Sequence, residues 1–180
     1  MGVCIFNNIT IAARYALQTY ALKRVAIVDF DVHHGNGTEH IVAGDQRIMM
    51  CSSFQHPFYP HSGSPVLASN ILSVPIDAGA TGEVFRNKVA HWFAALTHFK
   101  PELILLSAGF DAHAEDPMAH LRLTEDDYYW LSVELKKVAD TCCEGRIVSA
   151  LEGGYDMSAL GRSVVAHLKG LAYQVAKPAL

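Results

Sequence analysis

The sequence predicts an α/β fold in which a mainly parallel sheet is covered by helices on both faces. Its short apolar runs lack strict alternation, which is typical of strands buried on both sides. Helical patterns lie between these runs, and alternating strands and helices favour a parallel sheet. With 51% hydrophobic and 18% charged residues, the 180-residue chain has the composition of a globular protein. We therefore expect one domain over residues 1–180.

Five apolar runs are predicted to form strands. They are residues 25–30, 48–52, 71–76, 103–107 and 147–151. In open sheets of this kind, ligands bind beyond the carboxyl ends of the strands. The polar clusters of this sequence follow three of these runs, so we expect the functional site at that edge.

Four helical segments are predicted between and around the strands. Residues 8–22 form the first. Thr81 is expected to cap one long helix, whose apolar stripe runs from Phe85 to Leu96. Thr124 opens a third helix with a capping-box variant, and the last helix covers residues 158–173.

Composition excludes several functional classes. The net charge of −4 argues against a nucleic-acid interface, which needs a clustered basic face. No apolar run reaches the length that crosses a bilayer, and the first residues lack the pattern of a secretory leader. None of the four cysteines forms a C-x-x-C pair, so we expect reduced thiols in a cytoplasmic protein.

The first polar cluster ends the strand predicted at residues 25–30. In an extended strand alternate side chains share a face, so Asp29, Asp31 and His33 are expected to point the same way. Two buried carboxylates beside an imidazole are costly unless a cation neutralises them. Zinc, iron and manganese all suit this ligand set, and a carboxylate–His pair that caps a turn is the structural alternative.

Two further clusters follow other predicted strands. Asp111 ends an apolar run and is a candidate third ligand, which would leave a position open for water or substrate. Gly153 and Gly154 let the backbone pass close to a ligand, and Tyr155 can donate a hydrogen bond to an oxyanion beside the metal. By contrast, Asp116 is interpreted as a loop residue before a proline.

The same first cluster also fits a different enzyme class. The four apolar residues followed by D-x-D at residues 25–31 resemble the opening of the haloacid-dehalogenase-like phosphatases. In that interpretation Asp29 is the nucleophile, Asp31 the acid/base and Mg²⁺ the metal. It leaves the His-His-Gly, AGFDAH and GGY segments unexplained and therefore ranks behind a zinc site.

Together, the clusters resemble the histone deacetylase family and its relatives, the acetylpolyamine amidohydrolases, within the arginase–deacetylase superfamily. The matching stretches run in the family's order from the first residues to near the end: GVCIFNNITIAARYAL, VAIVDFDVHHGNGTEHI, SSFQHPFYP, LLSAGFDAHAEDP and LEGGYD. Asn36 and the AGFDAH stretch are more similar to the class II and bacterial branches than to class I.

The resemblance implies a zinc-dependent deacetylase site. Asp31, His33 and Asp111 would hold Zn²⁺, and Tyr155 would polarise the acyl carbonyl and stabilise the tetrahedral oxyanion. The metal would lower the pKa of a bound water and act as a Lewis acid. Acetyl-lysine proteins, acetylpolyamines and other small acetylated amines remain open as substrates, as do zinc and iron as the native metal.

The resemblance also implies a monovalent-cation site and a substrate tunnel. Potassium would bind near Asp29 and Ser53, with the backbone carbonyl of Phe54 and those of two metal ligands. Tyr59 matches one tunnel wall, and the Gly153–Gly154 segment borders the tunnel. Val3 stands where the family has an aromatic residue, which implies a wider or less well-formed tunnel.

One departure from the family pattern concerns the general base. In the family a tandem His-His pair lies upstream of GVCIFNN, whereas this sequence begins at Met1, just before that stretch. His33 is committed to the metal and His34 is expected on the opposite strand face, so this pair is no substitute. General-base catalysis is worth ~10²–10⁴-fold. We therefore expect an N-terminally incomplete enzyme with weak or no activity alone.

Two consequences remain as expectations. If the base is absent from the native protein, the alternative is a non-catalytic, metal-stabilised module that binds acyl-lysine or a partner protein. An incomplete sheet would also expose an edge strand and apolar surface, which favours pairing or oligomer formation.

Overall fold

The computed structural model describes residues 5–63 and 65–174, which contain five strands and six helices. Val3 lies outside the described residues. The strands are β1 (Val25–Asp29), β2 (Ile48–Gln55), β3 (Ile71–Ile76), β4 (Leu103–Ala108) and β5 (Ile147–Leu151). The helices are α1 (Asn8–Thr19), α2 (Asn36–Val42), α3 (Gly82–Val89), α4 (His91–Phe99), α5 (Glu125–Cys143) and α6 (Met157–Leu171).

All five strands pair in parallel in one sheet, in the order β3-β2-β1-β4-β5. The predicted α/β fold class is thereby confirmed. The chain runs outward from β1 to β3, then returns to the other side of β1 to form β4. This reversal between β1 and β4 makes the crevice above their carboxyl ends the expected place for a ligand.

The two faces of β1 belong to two separate apolar clusters. Ala26 and Val28 pack into a cluster formed with α3, α4 and α5. Val25 and Ile27 face a second cluster formed with α1 and α2. All four side chains are fully buried, which explains why this strand reads as a continuous apolar run.

Two helical predictions differ from the structure. The helix predicted after Thr81 is divided at Ala90 into α3 and α4, although its apolar stripe is buried on both sides of the break. At the break, the ring of His91 hydrogen-bonds the carbonyl of Lys88 (2.9 Å). Helix α2 was not predicted, because its seven residues are too few to display an amphipathic period.

Among the described residues, no helix is long and apolar enough to cross a membrane.

Candidate metal centre

The segment that follows β1 departs from the predicted strand geometry. The strand ends at Asp29, so the alternation that was expected to align Asp29, Asp31 and His33 does not continue. Instead, Asp31 Oδ1 accepts a hydrogen bond from the backbone N–H of His33 (2.8 Å), which folds this segment into a tight turn. Asp29 remains below the turn and accepts the N–H of Asp31 (3.2 Å).

The turn and the loop after β4 bring Asp31, His33 and Asp111 together. One ligand atom from each lies within 4.8 Å of the other two. His33 Nδ1 is 3.1 Å from Asp31 Oδ1 and 3.1 Å from Asp111 Oδ2. Imidazole and carboxylate are both zinc ligands, and three protein ligands with a fourth position left open is the arrangement of catalytic zinc sites.

Backbone N–H groups orient both carboxylates. The N–H of Gly153 donates to Asp31 Oδ2 (2.8 Å), and the N–H of Val32 donates to Asp111 Oδ1 (2.9 Å). Asp111 is fully buried, and its Oδ2 receives no well-aligned hydrogen bond within the described part of the chain. A buried, underused carboxylate oxygen next to an imidazole fits a role as a metal ligand.

Glycines create the space in which these carboxylates sit. A Cβ on Gly153 would lie 2.1 Å from Asp111 Oδ2 and 2.6 Å from Asp31 Oδ2. A Cβ on Gly109 would lie 2.4 Å from Asp31 Oδ2. The loops after β1, β4 and β5 therefore approach so closely that only glycine fits at these two positions.

The charges of the cluster favour a cation. Burial, with repulsion from Asp31, raises the pKa of Asp29 well above its ordinary value. Burial also raises the pKa of Asp111 to about 6. The Asp111 and Asp31 carboxylates, each with an oxygen 3.1 Å from Nδ1, raise the pKa of His33 to about 10. In the metal-free chain, the proton on His33 thus supplies the positive charge that the carboxylates require.

Aromatic side chains from the loop after β2 line one side of the centre. The ring of Phe58 stacks on His33, with centroids 5.5 Å apart and planes inclined by 24°. Tyr59 meets the same imidazole edge-on at 6.2 Å. The sequence predicted a role for Tyr59 but not for Phe58. The only signal for Phe58 was its place beside Tyr59 between two prolines.

Tyr155 lies in the loop between β5 and α6, with half of its surface exposed. Burial of the remainder, together with repulsion from Asp111 and Asp31, raises the pKa of its phenol. Its protonated form is therefore maintained at neutral pH, as a hydrogen-bond donor requires. Tyr155 is preceded by Gly154, whose φ of 141° is accessible to glycine.

Asp116 lies in a loop before Pro117, as predicted, but its side chain makes contacts that the sequence did not indicate. Its side chain is buried, and Oδ2 accepts the backbone N–H groups of Tyr155 (2.7 Å) and Asp156 (3.1 Å). These partners are 39 and 40 residues away, so no local pattern in the sequence could have indicated the contact.

Two further sets of residues lie near the centre. His34 turns away from the centre and forms a buried pair with Glu39, while its Nδ1 lies 2.8 Å from Ser62 Oγ. Ser53 and Phe54 are buried at the end of β2, the strand that pairs with β1. They therefore lie close to the carboxyl end of β1, where Asp29 is also buried.

This arrangement defines an α/β protein with a candidate metal centre at the carboxyl edge of a parallel sheet. Residues 1–171 match the family described as the histone deacetylase domain, and the chain belongs to that family. An uncharacterised protein of Synechocystis is 41% identical over 177 residues, and histone deacetylase 14, chloroplastic, of Arabidopsis thaliana is 40% identical over 181. The crystal structure of the HDA15 HD domain superposes with a TM-score of 0.86 at 32% identity.

These alignments cover nearly all of this chain but only part of each relative. They include 96% of this chain and 57% of the Synechocystis protein, and 95% and 42% for the Arabidopsis protein. For the HDA15 domain the shares are 95% and 50%. The chain thus spans about half the length of the relatives it matches.

Proposed function

We propose that this chain forms the metal-binding and carbonyl-polarising part of a zinc-dependent deacetylase site. The observation that carries the proposal is the convergence of Asp31, His33 and Asp111 within 4.8 Å at the edge of the sheet where Tyr155 also lies. Imidazole with carboxylates suits zinc, with iron as the alternative metal. Membership of the histone deacetylase family supports acyl-amide hydrolysis as the reaction.

The residues of the chain divide the chemistry as follows. Asp31, His33 and Asp111 would hold the zinc, which supplies a Lewis acid and lowers the pKa of a bound water. Tyr155 donates its phenolic hydrogen to the acyl oxygen and stabilises the charge that develops there. Phe58 and Tyr59 form an apolar wall against which the acyl-lysine stem packs.

A general base is the component that these 180 residues do not supply. The sequence contains one adjacent His-His pair, His33–His34. His33 belongs to the metal group, and His34 is buried against Glu39. Since a positioned base contributes ~10²–10⁴-fold, we expect the 180-residue polypeptide alone to turn over slowly.

Further aspects of the proposal rest on family resemblance. Potassium would bind near Asp29 and Ser53 with the carbonyl of Phe54. The substrate is an acetylated lysine of a protein or an acetylated small amine or polyamine. A cytoplasmic location stays a prediction, and the relative from Arabidopsis is named chloroplastic.

The test uses the purified chain with zinc and an acetyl-lysine peptide. We expect one zinc per chain by elemental analysis, loss of that zinc in Asp111→Asn, and little release of acetate. Asp77→Asn, in an exposed loop, is the matched control and should bind zinc normally. A wild-type chain that does not retain zinc would overturn the proposed metal site. Rapid turnover would overturn the expectation that these 180 residues lack the general base.

A non-catalytic acyl-lysine-binding module is the second candidate. It applies if the native protein lacks a general base, because His33 belongs to the metal group and His34 is buried against Glu39. Saturable binding of the acetyl-lysine peptide with no acetate release would distinguish it from a slow enzyme. The phosphatase interpretation has no support from the family match, and magnesium-dependent phosphate release would be needed to revive it.

A further inference from the structure

We propose that Asp116 is a positioning residue that fixes the backbone of Tyr155 and so directs its phenol towards the acyl group. The inference rests on the proposed function, because it assigns to Tyr155 the carbonyl-polarising role. It adds a residue that neither the sequence patterns nor the metal geometry identified.

The carboxylate of Asp116 accepts hydrogen bonds from three backbone N–H groups. Oδ2 accepts those of Tyr155 (2.7 Å) and Asp156 (3.1 Å), and Oδ1 accepts that of Met118 (2.9 Å). Asp116 is 6% exposed, and no cationic side chain among residues 5–63 and 65–174 forms an ion pair with it. Charge-assisted hydrogen bonds to the backbone therefore satisfy this buried charge.

Tyr155 depends on such an anchor because packing does little to hold it. Its side chain is 50% exposed, and the preceding residue, Gly154, has the backbone freedom that φ = 141° requires. On the other side, Asp156 caps α6 by accepting the N–H of Ala159 (2.7 Å). Asp116 thus holds the two residues that connect Gly154 to helix α6.

The same loop carries the metal ligand Asp111, five residues earlier in the chain. Backbone hydrogen bonds keep the loop compact, from Asp116 N–H to the carbonyl of His113 (3.0 Å) and from His113 N–H to that of Phe110 (3.3 Å). One loop therefore presents a metal ligand and, through Asp116, sets the position of Tyr155 relative to it.

Asp116→Asn tests this role with little change of shape. An amide is uncharged and has one acceptor oxygen, so it loses one of the two receiving atoms and the charge that strengthens the hydrogen bonds from Tyr155 and Asp156. The neighbouring Glu115→Gln is the control, because Glu115 is exposed and pairs with Arg162 on the surface. We expect Asp116→Asn and Glu115→Gln both to retain wild-type zinc affinity.

A double-mutant cycle with Tyr155→Phe separates positioning from general destabilisation. The dissociation constant of an acetyl-lysine peptide for the zinc-loaded chain is measured by calorimetry. Tyr155→Phe should weaken binding about tenfold, the value of one hydrogen bond. Asp116→Asn should weaken it to a similar extent, and the double variant no further, because Asp116 acts through the phenol. Glu115→Gln should have no effect.

An independent readout is amide hydrogen exchange in the metal-free chain. The N–H groups of Tyr155 and Asp156 should be protected in the wild type and in Glu115→Gln, and should exchange faster in Asp116→Asn. Asp116→Glu keeps the charge but moves the carboxylate oxygens by the length of one methylene. This variant is measured in the same double-mutant cycle with Tyr155→Phe.

The outcomes distinguish this inference from the proposed function. If the wild type binds neither zinc nor the peptide, the proposed function fails, whereas exchange still tests the anchor. If Tyr155→Phe weakens peptide binding but the Asp116 variants do not, or if their effects add to that of Tyr155→Phe, the positioning role is overturned. Unchanged exchange at both amides would overturn it as well.

Discussion

Gly153→Ala tests whether the close approach of three loops determines metal binding. The added Cβ would lie 2.1 Å from Asp111 Oδ2 and 2.6 Å from Asp31 Oδ2. The backbone of Gly153 is not in the left-handed region, so alanine introduces a collision without a backbone penalty. The two carboxylates must therefore separate from residue 153, and both are proposed metal ligands.

The size of the effect follows from the tolerance of metal sites. Relief of the contact needs a movement of roughly 1 Å, whereas metal–ligand distances stay within about 0.2 Å of their preferred values. Changes that only disturb ligand orientation already cost about 10–100-fold in affinity. We expect Gly153→Ala to lose about 100-fold or more in zinc affinity.

Thermal unfolding at fixed free zinc measures this loss. At a concentration 100 times the wild-type Kd, zinc stabilises the wild type by about 2.7 kcal/mol, and it stabilises the variant by about 0.4 kcal/mol if its Kd rises 100-fold. For a chain of this size, the zinc-induced rise in Tm should fall from about 5–10 °C to about 1–2 °C.

Gly161→Ala is the matched control on α6, because outside its own helix turn no atom of the described residues lies within 4 Å of the added Cβ. It should raise the metal-free stability by about 1 kcal/mol, as alanine does in a helix, and leave the zinc-induced shift unchanged. A Gly153→Ala chain with the same zinc-induced shift as the wild type would refute the inferred geometry.

Two further predictions concern stability and association. Burial lowers the pKa of His167 to about 4, so the unfolded chain binds more protons between that pH and 6.5, and stability falls as pH drops through this window. His167→Gln should remove about 3 kcal/mol of that pH dependence in urea titrations, and parallel wild-type and variant curves would contradict this. Within residues 5–63 and 65–174, β5 pairs only with β4 and leaves Val148 53% exposed, so the chain should self-associate along this edge. Val148→Lys should reduce association in sedimentation velocity, whereas Val84→Lys on α3 should not, and equal association of the two variants would exclude the strand edge.

The sequence predicted the strands well because the parallel sheet is covered on both faces. Each strand is then a short apolar run bounded by polar residues, and the observed β3 and β5 coincide with the predicted residues 71–76 and 147–151. The ligand candidates were visible for a related reason. An acid such as Asp111 directly after an apolar strand lies at the carboxyl edge of a parallel sheet, where such side chains meet.

The features that sequence reasoning missed depend on contacts between distant segments. The expected alignment of Asp29 with Asp31 assumed that β1 continues, whereas a side-chain hydrogen bond to His33 turns the backbone. Asp116 acquires its role from hydrogen-bond partners about 40 residues away, and Phe58 acquires its role by stacking on the ring of His33. Local propensity and spacing contain no information about these contacts.

The charge balance of the metal-free centre predicts that zinc uptake releases protons. His33 has its pKa raised to about 10, so at pH 8 it must lose a proton before Nδ1 or Nε2 can bind a metal. Asp111, with a pKa of about 6, is already ionised at that pH. Zinc affinity should therefore rise about tenfold per pH unit between 7 and 9, and more steeply below 6. Calorimetry in buffers of different ionisation enthalpy should report about one proton released per zinc at pH 8. Binding that releases no proton there would show that His33 is neutral in the metal-free chain, and that another cation balances Asp31 and Asp111.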